Sequence, residues 1–362
     1  MSVKIFEDLQ KEVISQNLCN LCGACLAVCT ANDTNALCIE NNKPQYKEDT
    51  DKDQKIKKCL ECGICYLVCG QIPLLNAELG KQFPLKLPLG TYRYLSCART
   101  KDAKIQEIAQ DGGVVTTILK YLLEKKLIDG AVVNYPIGNW KSIPQIISSP
   151  DELIKTAGTR YLACPSAQAL GNYKTLGKDN PRLAFVGTPC QVQTIRKMQL
   201  LKARPGIFVK YVIGLFCMEN FDYERLLREK FEKELKINLD NIKKLNIKGK
   251  FLINLKNNEV IEIPLKDLAH LVRTNCNYCV DFTNFYADIS VGGIGSPAGY
   301  STILVRTGTG SDLFSKLLLG NEIEELNVDP NTVKKGILAQ ISKLGQMKYD
   351  KGIKNKSQLP QK

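Results

Sequence analysis

The chain has 362 residues, of which 44% are hydrophobic and 24% charged, a composition that excludes a fibrous or wholly disordered protein and leaves room for more than one domain. Its formal net charge of +13 favours an acidic partner, but no nucleic-acid-binding motif accompanies the basic residues. No apolar stretch predicts a direct membrane span, and the start lacks the apolar core of a signal peptide. We therefore expect a cytoplasmic protein with no nucleic-acid partner, in which the 15 cysteines stay reduced and ligate metals or clusters.

Two cysteine runs of the form C-x2-C-x2-C-x3-C come first along the chain. "CNLCGACLAVC" occupies residues 19–29 and "CLECGICYLVC" occupies residues 59–69. Two zinc sites are one interpretation, because CxxC pairs also bind zinc. The dense spacing favours iron–sulfur clusters, and it resembles two-cluster bacterial ferredoxins, in which the fourth cysteine of each run ligates the other cluster.

The ferredoxin resemblance implies two [4Fe-4S] clusters with crossed ligation. The first cysteine set is Cys19, Cys22, Cys25 and Cys69, and the second set is Cys59, Cys62, Cys65 and Cys29. The sequence departs from the ferredoxin pattern at Thr30 and Gly70, where a proline usually follows the fourth cysteine. We expect a small α+β ferredoxin-like domain over residues 1–85, with residues 46–58 as a charged, solvated insertion.

Alternating helix and strand patterns predict an α/β domain over residues 86–345. A helix from about Val114 to Lys126 follows the pair Gly112 and Gly113, and the strand "GAVVNY" follows the helix. Further on, a strand over residues 183–186, a helix from about Gln191 and a buried strand within residues 207–218 predict a βαβ unit and a parallel sheet. The glycine pair suits either a tight turn or a phosphate bound at a helix N-terminus.

Four cysteines of this domain are expected to converge at one edge of the sheet. Two of them follow consecutive parallel strands, whose carboxyl ends share an edge, and two form a CxxC pair beside a glycine-rich segment. This third cysteine set is Cys190, Cys217, Cys276 and Cys279. On spacing alone, a third [4Fe-4S] site and a CxxC zinc ribbon with two core cysteines remain alternatives.

Five ordered motifs over residues 89–343 resemble the beta-subunit family of coenzyme F420-reducing hydrogenases and dehydrogenases: "DGGVVTTIL", "GTRYLACPSA", "FVGTPCQ", "GLFC" and "CNYCVDFTNFYADISVGGIGSPAGYSTILVRT". The resemblance implies an FAD-binding mixed α/β domain, with a [4Fe-4S] cluster on the third set. The implied FAD contacts are Gly112, Gly113 and Thr116, then Thr159, Arg160 and Tyr161 on the pyrophosphate side, and Gly187, Thr188, Pro189, Ser290, Gly292 and Gly295 near the flavin ring.

The combined architecture is similar to the electron-input subunits of archaeal F420H2 dehydrogenases, which are linked to methanogenesis. This implies hydride exchange between coenzyme F420, the substrate, and FAD, and single-electron transfer through three clusters to a partner. The implied partner is a membrane dehydrogenase complex, a ferredoxin or another oxidoreductase subunit. The first of these would place the chain at the cytoplasmic face of the membrane. A ferredoxin-dependent reductase of the chlorophyll-reductase type, a formate dehydrogenase beta subunit and a non-catalytic electron-transfer protein are alternatives. Residues 346–362 are basic and predict a flexible tail.

Overall fold

The computed structural model describes residues 3–47, 59–326 and 330–358. Most of the predicted charged insertion, residues 48–58, lies outside the described residues. The α-helices are α1 Phe6–Leu9, α2 Ala24–Ala31, α3 Ile64–Leu67, α4 Asn76–Gln82, α5 Ala103–Ile108, α6 Val114–Glu124, α7 Pro150–Ile154, α8 Pro189–Leu200, α9 Leu265–Leu268, α10 Gly308–Leu319 and α11 Pro330–Lys356.

Strands and shorter or irregular helices complete the element order. The strands are β1 Leu37–Glu40, β2 Lys43–Tyr46, β3 Tyr94–Thr100, β4 Gly130–Gly138, β5 Lys141–Ile147, β6 Leu183–Gly187, β7 Val209–Leu215, β8 Ile242–Ile247, β9 Lys250–Leu255, β10 Val260–Pro264, β11 Ile289–Gly292, β12 Ser301–Val305 and β13 Ile323–Glu325. The other helices are Gln10–Ile14, Pro73–Leu75, Ser166–Leu176, Gly206–Phe208, Glu224–Glu234, Leu239–Asn241, Ala269–Leu271 and Thr274–Tyr278.

Short helices and one antiparallel hairpin, β1 with β2, form the N-terminal part of the chain. Helices α2 and α3 begin after Gly23 and Gly63, whose φ angles of 83° and 73° lie in the left-handed region. A Cβ on Gly23 would lie 2.6 Å from the carbonyl oxygen of Pro165, and one on Gly63 2.6 Å from that of Lys4. Only glycine therefore fits these two turns.

An eight-stranded mixed sheet organises the rest of the chain, in the order β13-β3-β12-β11-β7-β6-β4-β5. The four neighbours β11, β7, β6 and β4 run parallel to one another, and the flanking strands pair antiparallel. The predicted helix α6, the strand β4 and the unit β6-α8-β7 are all present. The predicted α/β class is confirmed as a mixed α/β fold.

Apolar cores cover both faces of the sheet. On one face α6 and α10 bury Ile118 and Leu317 against β-strand residues such as Ile213. On the other face α8 and the helix Ser166–Leu176 share one core with α2, which contributes Ala27. The N-terminal part and the sheet are therefore packed together through a common core.

A second, three-stranded sheet of β10, β9 and β8 lies beside the helix Glu224–Glu234. Phe251 at its centre makes edge contacts with the rings of Phe221, Phe231 and Tyr161. The ammonium of Lys244 in β8 donates to two backbone carbonyl oxygens that precede α6. This layer therefore supports the turn at which α6 begins.

Residues 346–356 form the last turns of α11, so the flexible tail predicted for residues 346–362 was wrong over this range. The segment has few long apolar side chains, but Gly352 allows the helix to approach its neighbour closely. A Cβ on Gly352 would lie 2.7 Å from the carbonyl oxygen of Cys279. Lys348 and Ile341 are buried on the same helix. Among the helices of the described ranges, none combines the length and apolar character that crossing a membrane requires.

Candidate functional site

The first cysteine set converges around a cavity. Its four members line the cavity together with Cys65 and apolar side chains of the N-terminal helices. Burial, followed by the thiols of Cys69 and Cys19, raises the pKa of Cys22 to about 12. Burial and the same neighbours also raise the pKa of Cys25. Thiols from both runs therefore lie within electrostatic reach of each other.

The same turn precedes the helix in each run. The backbone N–H of Leu21 donates to the sulfur of Cys19, and that of Glu61 donates to the sulfur of Cys59, both at 3.4 Å. Leu21 and Glu61 have φ angles of 53° and 51°, outside the region that most residues favour. Each run thus bends its backbone so that amides point at sulfur, an arrangement that stabilises thiolates.

The second cysteine set also draws on both runs. Burial, followed by Cys62 and Cys59, raises the pKa of Cys65 to about 12, and Cys29 of the other run contributes in the same direction. The sulfur of Cys29 accepts from the backbone N–H of Ala36 at 3.2 Å. Cys65 is in turn among the thiols that raise the pKa of Cys25 in the first set. The two sets are therefore neighbours, and Cys62 is the exposed member.

The third cysteine set meets at the carboxyl edge of the parallel strands. Cys190 follows β6 and Cys217 follows β7, as predicted, while the helix Thr274–Tyr278 and the residue after it supply the CxxC pair. Burial, then Cys279, raises the pKa of Cys190 to about 12, with smaller contributions from Cys22 and Cys276. The third set adjoins the first, because a Cβ on Gly70, the residue after Cys69, would lie 3.5 Å from the carbonyl oxygen of Cys190.

Three cysteines lie outside these sets. Cys97 is buried in β3, and Cys164 is buried with its sulfur 3.7 Å from the carbonyl oxygen of Ser142. Cys38 lies in β1, with its sulfur 3.6 Å from a carboxylate oxygen of Glu40. Among the described residues, no group of three or more His, Cys, Asp or Glu side chains is arranged to hold a metal ion as it stands.

The first three predicted FAD contacts, Gly112, Gly113 and Thr116, lie at the start of α6. The N–H of Gly112 donates to the hydroxyl of Ser301 at 3.0 Å, and its carbonyl oxygen accepts from Thr100 at 2.7 Å. A Cβ on Gly112 would lie 2.5 Å from the carbonyl oxygen of Ala98. Gly113 precedes α6 with a φ of 70° and provides no side-chain cap, and Thr116 lies in the first turn. The first turn therefore presents amides that no capping side chain satisfies.

The structure brings the second predicted motif to this turn. The N–H of Thr159 donates to the side-chain oxygen of Gln110 at 3.3 Å. Burial lowers the pKa of the Arg160 guanidinium. Burial, then Asp111, raises the pKa of Tyr161 to about 12. In the described part of the chain, Arg160 has no carboxylate within 4.0 Å.

Asp111 links the turn to the glycine-rich part of the fifth quoted motif, "VGGIG" at residues 291–295. A Cβ on Gly293 would lie 2.1 Å from a carboxylate oxygen of Asp111, so the "VGGIG" backbone runs against this side chain. Burial raises the pKa of Asp111, while Lys244 and Lys248 oppose the rise. Asp111 opens the quoted motif "DGGVVTTIL" but was given no role there, and the two lysines were missed because isolated charged residues carry no motif.

The residues predicted near the flavin ring differ in their surroundings. Gly187 ends β6, and Thr188 precedes α8, whose first residue is Pro189. Gly292 packs on the ring of Phe216, and Gly295 packs on Ile337 of α11. These five residues lie at or near the carboxyl edge of the sheet.

Ser290, in contrast, is fully buried within β11. Its hydroxyl donates to the carbonyl oxygen of Asn284 at 3.0 Å and accepts from Nε of Arg306 at 2.6 Å. Both interactions lie within the protein interior. The structure therefore gives this hydroxyl a packing role in the sheet.

Three basic side chains beside the cysteine sets were also missed. The ammonium of Lys197 donates to the carbonyl oxygen of Cys69 at 2.8 Å, and Nη2 of Arg273 donates to that of Cys19 at 3.1 Å. The ammonium of Lys348 donates to the carbonyl oxygen of Cys217. Lys197 and Lys348 are buried. No local pattern distinguishes them from surface lysines, because their burial depends on distant parts of the chain.

Two protein-family models match the chain. Residues 95–171 match the model of the N-terminal part of the coenzyme F420 hydrogenase/dehydrogenase beta subunit, and residues 180–331 match the model of its C-terminal part. A subunit of the F(420)H(2) dehydrogenase of Methanosarcina mazei is 33% identical over 339 residues, covering 93% of this chain and 91% of that protein. The chain belongs to the coenzyme F420 hydrogenase/dehydrogenase beta-subunit family. The resemblance inferred from the motifs is thereby confirmed.

Other members of the beta-subunit family match a smaller share of this chain. The beta subunit of the coenzyme F420 hydrogenase of Methanococcus voltae is 37% identical over 279 residues, covering 74% of this chain and 95% of that protein. A chain of the F420-reducing [NiFe] hydrogenase complex from Methanosarcina barkeri superposes with a TM-score of 0.69 at 33% identity, covering 75% of this chain and 93% of that chain. Members of this family are components of F420-linked oxidoreductases, which supports an oxidoreductase role for the chain.

Proposed function

We propose that the chain exchanges hydride between coenzyme F420 and FAD and passes single electrons through three [4Fe-4S] clusters to a redox partner. One observation carries this proposal: the three cysteine sets are consecutive neighbours. Cys65 of the second set lines the same cavity as the first set, and Gly70, next to Cys69 of the first set, packs against the backbone of Cys190 of the third. The sets therefore lead from the carboxyl edge of the sheet to the exposed Cys62.

The donor sets suit iron–sulfur clusters. Each set offers four sulfur ligands, and amides directed at Cys19 and Cys59 favour the thiolate form. Partial burial raises the pKa of most of these thiols, so their thiolates need a bound cation for stability. Each of the three sets would hold one cluster. When bound, the clusters supply one-electron transfer.

The turn before α6 suits the pyrophosphate of FAD. Uncapped amides at a helix N-terminus favour a bound anion, and Arg160 could supply a charged hydrogen bond. The approach of Gly112 to Ala98 leaves no room for a side chain there, so backbone lines the turn. When bound, FAD supplies the conversion between hydride transfer and one-electron transfer.

Coenzyme F420 is the proposed hydride partner. Its phosphate and glutamyl tail are anionic, which suits a protein with a net charge of +13. The second set is the proposed exit for electrons, because it includes the exposed Cys62. The redox partner is then a protein that approaches this side: a membrane dehydrogenase complex, a ferredoxin or another oxidoreductase subunit.

Dye reduction in steady state tests this assignment. Anaerobically reconstituted protein is supplied with reduced F420 or with NADH, and viologen reduction is followed optically. We expect turnover with reduced F420 and very little with NADH, because the sequence has no strand-linked GxGxxG motif for a nicotinamide nucleotide. Dye reduction that depends on NADH would contradict the proposal. So would the absence of dye reduction with both donors.

A further inference from the structure

We infer that the buried ammonium of Lys348 raises the reduction potential of the iron–sulfur site on the third cysteine set. The inference rests on the proposed function, because it requires that a cluster is bound there. Lys348 belongs to α11, and it lies beyond the residues matched by the family models. Its side chain is not a cluster ligand, and its effect on the cluster comes from its positive charge.

The geometry fixes this ammonium beside the cysteine set. Only 5% of Lys348 is exposed, and its Nζ donates to the carbonyl oxygen of Cys217. Helix α11 is fastened to the CxxC segment by a hydrogen bond from Asn355 to the carbonyl oxygen of Asn277 at 2.8 Å. The close approach of Gly352 to Cys279 holds the following turn of the helix. The charge therefore lies on a helix that contacts both Cys217 and the CxxC segment, two of the three parts of the chain that supply the cysteines.

The surroundings of Lys348 favour an anion at the cysteine set. In the described part of the chain, no carboxylate lies within 4.0 Å of its ammonium. The buried carboxylate of Asp281 accepts from the backbone N–H groups of Asn284 and Phe285 at 2.7 and 2.8 Å, so its charge is already engaged. A charged lysine buried here needs a negative neighbour.

A cubane on four thiolates supplies that neighbour. Such a cluster is anionic, and reduction adds one electron to it while the ammonium keeps its proton. A nearby buried positive charge consequently stabilises the reduced form more than the oxidised form. At an effective dielectric constant of about 20, a unit charge a few ångströms away changes such an equilibrium by more than about tenfold. The third site thereby becomes a better electron acceptor.

Lys197 gives a matched comparison at the first cysteine set. It is fully buried, and its ammonium donates to the carbonyl oxygens of Cys69 and Ile72. Its position relative to Cys69 repeats that of Lys348 relative to Cys217. Removing the charge of Lys197 is therefore expected to affect the cluster on the first set, and removing that of Lys348 the cluster on the third set.

The test is a dithionite titration of the holoprotein followed by electron paramagnetic resonance. The Cys276→Ser variant identifies the signal of the third site by its loss. Lys348→Gln removes the charge but retains a hydrogen-bond donor, and we expect a tenfold or larger shift toward the oxidised form, about 59 mV or more in the midpoint. Lys348→Arg retains the charge, and its midpoint is expected within about threefold of the wild-type equilibrium. Lys197→Gln is expected to shift another signal.

Each result decides the inference. An unchanged midpoint of the third signal in Lys348→Gln, or an equal shift in Lys348→Gln and Lys348→Arg, overturns it. Should Lys348→Gln lose the cluster, retention of cluster and midpoint in Lys348→Arg supports a charge effect, whereas loss in both variants overturns it. A wild-type protein with no signal that depends on Cys276 instead contradicts the proposed function.

Discussion

Nη2 of Arg196 donates to a carboxylate oxygen of Asp288 at 2.9 Å, and only 10% and 6% of the two side chains are exposed. The Asp288 carboxylate also accepts from the backbone N–H of Val212 at 2.8 Å and from the hydroxyl of Thr307 at 2.7 Å. Arg196 belongs to α8, whose first turn contains Cys190. The ion pair therefore holds the helix of one cluster ligand against the parallel strands.

Asp288→Asn is expected to destabilise the protein by about 3 kcal/mol, because removing one charge of a buried pair leaves the other uncompensated. The free energy of unfolding is measured by anaerobic urea titration followed by circular dichroism. Glu262→Gln is the control, because the pair of Glu262 with Lys250 is half-exposed and should contribute less than about 1 kcal/mol. Equal effects of the two substitutions would contradict the role assigned to the buried pair.

The proposed clusters predict about twelve iron and twelve sulfide per reconstituted chain, and no zinc. Cys276→Ser is expected to remove about four of those irons, because a [4Fe-4S] site without its fourth thiolate is poorly held. Anaerobic elemental analysis measures both quantities, with Cys38→Ser as the control because Cys38 lies outside the three sets. A wild-type content of about eight iron and one zinc would instead support the zinc alternative at the third set.

Arg160→Ala is expected to weaken FAD retention by about 1.5 to 3 kcal/mol, the contribution of a charged hydrogen bond. Flavin content is measured after dilution and gel filtration, together with iron, which should stay unchanged. Arg182→Ala is the control, because Arg182 is exposed and pairs with Asp129. A full complement of FAD in Arg160→Ala would show that this guanidinium does not hold the cofactor.

Ser290→Ala is expected to lower the free energy of unfolding by about 1 to 3 kcal/mol, because Nε of the buried Arg306 loses its acceptor. Flavin content should stay at the wild-type level, since the hydroxyl is engaged inside the sheet. Ser311→Ala, on the outer helix α10, is the control for losing a hydroxyl. Loss of FAD without loss of stability would restore Ser290 to the flavin site.

Sequence was most informative where chemistry dictates local spacing. Close-set cysteines limit the possible turns, and the two runs do adopt equivalent turns, with Gly23 and Gly63 in the left-handed region. Apolar runs separated by a helical pattern also sufficed for β6, α8 and β7. From these elements alone, Cys190 and Cys217 could be placed at one edge of the sheet.

Long-range packing could not be inferred in the same way. The polar segment around Lys348 lacks a strong apolar period, and its burial depends on Gly352 fitting against a loop supplied by a distant part of the chain. Ser290 stands in a glycine-rich motif, yet its hydroxyl is occupied by Arg306 of a neighbouring loop. The antiparallel pairing of β3 with β12 joins distant segments and likewise has no local signal.

The central claim is that this chain accepts hydride from the deazaflavin and delivers electrons to its own clusters. Rapid anaerobic mixing of the oxidised holoprotein with reduced F420 tests it most directly, with flavin absorbance and cluster signals followed together. We predict fast flavin bleaching followed by cluster reduction in the wild type, and bleaching without reduction of the distal clusters in Cys276→Ser. If reduced ferredoxin bleaches the flavin but reduced F420 leaves it oxidised, the result contradicts the account and favours a ferredoxin-dependent reductase.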